Sequence, residues 1–230
     1  MRKSFTIIEL LIVISILILL FSLLNPTFIR IFHQAGVTEC QNQIKQATMT
    51  TLLMSEDSEG ILPKGGGSRS GGHAIWLRYG LVKRYVEYGL KRDYLICPTI
   101  SKGEDEVVEV FGEKRVLIHN QYLGNNPALL SRTSKKSQKR NYKLARRNDQ
   151  EGDRVLFADG NAYNSWEGGW TMAPHTDYDR RQWEGFPIEP QVFGSEGGNV
   201  GLLDGSVAWK DYSDLTVYKN STGPDAHGLW

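Results

Sequence analysis

One carboxylate stands where a carboxylate is expensive. Glu9 is the single charge between Phe5 and Leu24, a stretch of about twenty residues that would span roughly 30 Å as a helix, the thickness of a bilayer's hydrocarbon core. An acid at the centre of such a span costs about 2.5–3.5 kcal/mol on insertion scales, so it points to a partner. Cys40 and Cys97 are the two cysteines. Oxidised to each other they would close a loop of about 56 residues and contribute roughly 4 kcal/mol through chain entropy; alternatively, Cys40 is a core residue of a helix. Asp159-Gly160 and Asp204-Gly205 each lie beside apolar runs and fit tight turns in which Gly takes positive φ. The five histidines, His33, His73, His119, His175 and His227, form no H-E-x-x-H pair, and there is no G-x-S-x-G elbow. No enzyme signature emerges.

The elements that would position these residues follow from periodicity. Val37, Cys40, Ile44, Ala47, Thr51 and Met54 step by three and four, with polar residues between them. That pattern predicts one apolar stripe on a helix running from about Phe5 to Ser55, kinked at Pro26 and stopped by Glu59-Gly60 and Pro63. Ala74 to Tyr88 is predicted helical, with Trp76, Tyr79, Val82 and Val86 on one side. Val107–Phe111 and Arg115–Ile118 are predicted as a hairpin about Gly112-Glu113, with further strands at Val155–Ala158, Val200–Leu203 and Val207–Lys210. The fold class expected is α+β: a long N-terminal helix packed on an antiparallel sheet.

Arg2 and Lys3 run directly into the apolar stretch, and no A-x-A-like cleavage site follows Leu24, which sets the segment apart from a secretory signal. Ser4-Phe5-Thr6-Ile7-Ile8-Glu9-Leu10-Leu11 behind that basic leader resembles the prepilin signature of type IV pilins and type II secretion pseudopilins. The resemblance implies a prepilin peptidase cutting between Ser4 and Phe5 on the cytoplasmic side, followed by methylation of the new amine. Glu9 would then be the fifth residue of the mature chain. The family prefers Gly where this chain has Ser4. In a filament, the acid of an incoming subunit would meet the Phe5 ammonium of a neighbour and set axial register, two charges each costly alone becoming tolerable as a pair. The alternative is an uncleaved anchor with Glu9 drawn to the interface.

The implied organisation is a leader over 1–4, a transmembrane or filament-core helix over 5–24, its amphipathic continuation over 25–58 and an α+β head over 59–230. The basic leader places the N-terminus in the cytoplasm and the head outside the inner membrane. Partners implied are the prepilin peptidase, other pilin-like subunits, an inner-membrane assembly platform and membrane lipid. The C-terminal part also resembles a pilin-like subgroup in which a His lies ten residues before an Asp-Gly; Asp204-Gly205 matches, but Gly194 stands where the His would be. No cofactor is implied, with one exception. Some major pseudopilins bind calcium through a C-terminal loop, and Asp204, Asp211, Asp214 and Asp225 could supply hard oxygen ligands here, or could be plain turn residues.

Composition narrows the partners further. The chain has 27 basic and 26 acidic residues, a formal charge of +1. Such balance argues against a nucleic-acid partner, although Arg132–Arg147 holds Lys and Arg without an acid and could track phosphates or form a solvated loop. Gly65–Gly72 is glycine-rich but lacks the Gly-Lys-Ser/Thr ending of a phosphate loop. Trp166, Trp170 and Trp183, near Asp177 and Asp179, would suit either a carbohydrate platform or a small core. The resulting expectation is a filament subunit, against the alternative of a single-pass anchored protein that binds polysaccharide or DNA.

Overall fold

A computed structural model describes residues 6–66, 73–100, 107–110, 113–126, 145–164, 171–176, 190–192, 194–219 and 226–230. The chain forms two compact units, Met1–Gly36 and Val37–Trp230. Helix α1, Ile7–Glu56, belongs to both and is continuous through Pro26. In the first unit every side chain from Ile7 to Leu23 is exposed, large apolar ones included. Among the described residues no helix is long and apolar enough to cross a membrane; the described apolar side chains of this run end at Leu23.

In the second unit the same helix behaves differently. Val37, Cys40, Ile44, Ala47, Thr51 and Met54 are all buried, the stripe that the three-and-four spacing predicts. The helix ends where expected: the Gly60 N–H reaches back to the Ser55 carbonyl at 2.8 Å, with Glu59 and Gly60 at φ of 55° and 79°. A left-handed pair past the last turn satisfies carbonyls that the helix leaves open.

The rest of this unit is strand-rich. In chain order come β1 Trp76–Arg78, α2 Tyr79–Glu87, a 3-10 turn at Arg92–Leu95, β2 Val107–Val110, β3 Glu113–Leu117, β4 Asn120–Tyr122, β5 Val155–Asp159, β6 Ala162–Asn164, β7 Thr171–Met172, β8 Gly197–Leu202, β9 Val207–Asp211, β10 Val217–Lys219 and β11 Ala226–Leu229. They form three sheets, ordered β1-β3-β2, β4-β5-β8-β9 and β10-β11-β6-β7, with antiparallel pairing throughout. The α+β class holds.

Two local expectations are corrected. The helix predicted over Ala74–Tyr88 begins only at Tyr79, because Trp76–Arg78 pairs with Arg115–Leu117 and those backbone groups are spent on the sheet. Its buried face is Leu81, Val82 and Tyr85, while Val86 is exposed. The β2–β3 hairpin closes with Val110 opposite Glu113, so Glu113 is a strand residue rather than part of the turn.

The core joins α1 to the sheet of β4, β5, β8 and β9. Ile44, Ala47 and Met54 cluster with Leu77, Tyr85, Tyr122, Phe157 and Leu203. The Tyr122 and Phe157 rings lie 5.0 Å apart, and the Thr51 hydroxyl meets the Tyr85 hydroxyl at 2.6 Å. Burial pushes the Tyr85 and Tyr122 phenols well above their ordinary range. Helix and sheet meet closely at Gly201 of β8, where an added Cβ would lie 2.6 Å from Thr48 Oγ1 and 2.8 Å from Ile44 Cγ2. Gly201→Ala should therefore wedge strand from helix and destabilise the protein by about 1–3 kcal/mol. Gly80→Ala, at a position in α2 with open space around it, should instead stabilise by up to about 1 kcal/mol. Denaturation of the two full-length variants, followed by tryptophan fluorescence, measures both.

Candidate functional site

The first candidate site is the start of α1. The Glu9 Oε2 accepts the backbone N–H and the hydroxyl of Thr6, both at 2.8 Å, and the Thr6 Oγ1 accepts the Glu9 N–H at 3.3 Å. This reciprocal arrangement, Thr followed three residues later by Glu, is a capping box. It satisfies N–H groups that a helix start leaves unpaired and gives the carboxylate a partner within its own chain. Ser4 and Phe5 lie outside the described residues, as does the side chain of Pro26.

The second candidate is a buried polar network. Asp159 ends β5, Asn199 sits in β8, and His175 follows β7; all three are fully buried. One carboxylate oxygen, Asp159 Oδ2, meets His175 Nε2 at 2.8 Å, the Asn199 backbone N–H at 2.6 Å and the Asn199 side-chain amide at 2.9 Å. Because that oxygen already accepts two N–H groups, Nε2 is the donor of the third bond. The Asn199 amide also reaches the Val37 carbonyl on α1 at 3.3 Å. Around this centre, Asn161 donates to the Gly197 carbonyl at 2.8 Å and accepts from the Ser195 hydroxyl at 2.8 Å. The Trp209 ring packs edge-on against the imidazole, 5.4 Å between centroids.

Cys40 and Cys97 lie beside this network, joined in a disulfide with their Cα atoms 5.6 Å apart. The bond ties α1 to the segment after the 3-10 turn. Cys97 Sγ is 2.9 Å from the Thr99 hydroxyl, which in turn donates to the carbonyl of Pro174, the residue before His175.

The two Asp-Gly dipeptides have separate fates. Asp204-Gly205 forms the turn between β8 and β9, with Gly205 at φ 84° and Asp204 Oδ1 accepting the Ser206 N–H at 2.8 Å. Lys45 of α1 donates to the Gly205 carbonyl, so the turn is also a helix contact. Asp159-Gly160 is not a hairpin turn. It carries the chain from the sheet of β5 into the sheet of β6, with the Asp159 side chain buried and Gly160 so close to the His119 carbonyl that a Cβ would lie 2.2 Å from it.

Among the described residues, Asp204, Asp211 and Asp214 form no group of metal ligands. Asp204 is held by Ser206, Asp211 Oδ1 accepts the Trp209 indole N–H at 2.9 Å, and Asp214 lies in the 3-10 turn Tyr212–Asp214. Among the described residues the one group of three possible metal ligands is Cys40, Cys97 and His175. Asp225 lies outside the described residues, together with Trp166, Trp170, Trp183, Asp177, Asp179, the glycines from 67 to 72 and the basic segment up to residue 144.

Compared with known proteins, the chain matches no family model, no curated protein and no solved structure. The residues that sequence reasoning missed are His175, Asn199, Asn161 and Ser195. Their one signal was the Gly-Gly-Asn-Val run leading into the second Asp-Gly, which reads as a strand but not as a carboxylate's hydrogen-bond partner.

Removing the Asp159 carboxylate strands three buried donors, so Asp159→Ala is expected to lose about 3 kcal/mol or more of stability. Asp211→Ala, at an exposed position, should stay within about 1 kcal/mol of the wild type in the same denaturation experiment. A pH dependence follows from Asp204. The Ser206 hydroxyl and N–H hold its carboxyl below the usual carboxylate range. A lowered folded-state value means that its contribution is complete above about pH 4 and fades as pH falls further, through the folded value. The melting-temperature gap between wild type and Asp204→Ala should accordingly be constant from neutral pH down to about pH 4 and shrink below it.

Proposed function

We propose that this chain is a pilin-like filament subunit, of the type IV pilus or type II secretion kind, whose work is assembly rather than chemistry. The observation that carries the reading is the coincidence, at one end of the sequence, of a basic leader, Ser4-Phe5, and a lone acid at Glu9 within a long apolar run. Supporting it is the division of α1. Its first part carries exposed apolar side chains from Ile7 to Leu23, a surface that has no reason to face water. Its later part buries a stripe in a strand-rich head.

In this reading the apolar run lies first in the inner membrane and then in the filament core, with the head outside. Prepilin peptidase releases Phe5, and the new ammonium becomes the partner of a neighbour's Glu9. The Thr6 capping box then has a part to play: it holds the carboxylate while the subunit is alone, and assembly exchanges the Thr6 donors for a charge. Exchanging neutral donors for an ammonium in a dry core strengthens the pairing, because charge-assisted bonds are the stronger class.

The test is mass analysis of the membrane-extracted protein, made with and without prepilin peptidase, alongside a filament-incorporation assay for Glu9→Ala. A chain beginning at methylated Phe5, and a variant that is processed but left out of filaments, is the expected pair of results. A chain that keeps Met1–Ser4 in the presence of the peptidase would favour a permanently anchored protein instead.

A further inference from the structure

Two sulfurs and a ring nitrogen converge inside the second unit. Cys40 comes from α1, Cys97 from the segment after the 3-10 turn, and His175 from the segment after β7. All three are fully buried, and one donor atom from each lies within 4.8 Å of the others. A cross-link alone needs no imidazole beside it.

The state of that imidazole is informative. Its Nε2 donates to Asp159, whose oxygen is fixed by the two N–H groups of Asn199. With Nε2 as the donor, Nδ1 is the nitrogen left to offer a lone pair, and it is buried with no hydrogen-bond partner. A buried acceptor left unpaired carries its desolvation cost with nothing to offset it. A carboxylate on the far nitrogen is also the arrangement that orients metal-binding histidines and raises their basicity. Two sulfurs and one such nitrogen form a donor set suited to a zinc-class ion.

We propose that Cys40, Cys97 and His175 form a redox-gated site for a zinc-class divalent ion, closed by the disulfide and opened by its reduction. Bond and ion exclude each other, because the sulfur electrons that would bind the metal are shared in the S–S bond. Opening requires a reductant. A phosphine takes the oxygen of one water and becomes a phosphine oxide, while the S–S bond breaks and each sulfur gains a proton. An arriving divalent ion then displaces both thiol protons and accepts lone pairs from two thiolates and Nδ1. At ordinary bond lengths, tetrahedral zinc holds two thiolates roughly 3.8 Å apart and a thiolate and ring nitrogen roughly 3.6 Å apart. The three donor atoms now lie within 4.8 Å of one another, and the two bonded sulfurs must part to reach that arrangement. Asp159 would remain behind His175 as its orienting carboxylate.

The experiment uses the full-length chain in detergent, made metal-free, with cobalt(II) as the spectroscopic probe. After anaerobic reduction with a phosphine, one cobalt per chain should bind, with thiolate-to-cobalt charge transfer in the ultraviolet and tetrahedral d–d bands in the visible. Zinc should displace it. The unreduced chain should show neither feature, and His175→Ala should bind at least about tenfold more weakly, with altered d–d bands. If His175→Ala does not fold, Cys40→Ser supplies the same comparison, with loss of the charge-transfer band expected. A reduced, folded chain without these bands overturns the proposal, as does equal binding by the unreduced chain or by the folded variant. Should reduction unfold the chain, cobalt or zinc is expected to restore its fold, since an ion that binds the native state shifts the equilibrium toward it; failure to restore it overturns the proposal too.

Discussion

The close approach of α1 to strand β8 is the contact on which the second unit depends. Gly201 has no side chain to keep Thr48 and Ile44 away, so helix and strand meet at a distance that any Cβ would forbid. Neither element is self-sufficient. The later part of α1 has one apolar stripe on an otherwise polar surface, and a glycine-rich strand has little of its own to bury. Docked together, they bring in the other contacts: Lys45 to the Gly205 carbonyl, Asn199 to the Val37 carbonyl, and Cys40 to Cys97.

One helix thus meets two different surroundings. From Val37 onward one face of it, with Val37, Cys40, Ile44, Ala47, Thr51 and Met54, is buried against protein, and the opposite face, with Met49 and Leu53 among its residues, is exposed. From Ile7 to Leu23 there is no polar face to speak of and the side chains are exposed; in the proposed filament, lipid or neighbouring helices would cover them. The carboxylate at Glu9 belongs to that second setting. Thr6 supplies it with two short hydrogen bonds, which is enough at a helix start and is weaker than what an ammonium would offer in a core without water.

The polar network behind the helix follows the same logic of mutual need. A buried carboxylate is tolerable because Asn199 and His175 aim three donors at one oxygen, and those donors are tolerable because the carboxylate is there. The network also links β5, β8, the stretch after β7 and the first buried turn of α1, the helix that the disulfide ties to Cys97. It leaves His175 with one nitrogen spent and the other without a hydrogen-bond partner, in a ring that lies beside two sulfurs.

What was legible in the residues alone was local. The stripe from Val37 to Met54, the stop at Glu59-Gly60, strands β5, β8 and β9 and the turn at Asp204-Gly205 all follow from the spacing of near neighbours, because helical and strand periods and turn chemistry are set within a few residues. Trp76 was misplaced for the complementary reason: its residue type suits a helix face or a strand, and only the pairing with Leu117 decides. Asp159 and Asp204 sit in the same dipeptide, yet one is a buried acceptor at a junction between sheets and the other an exposed turn. The difference lies in which sheet the next strand joins. The meeting of Cys40, Cys97 and His175 is of the same kind. No spacing in the chain encodes it, because it exists only after three distant segments have been packed into one core by the surface they each bury.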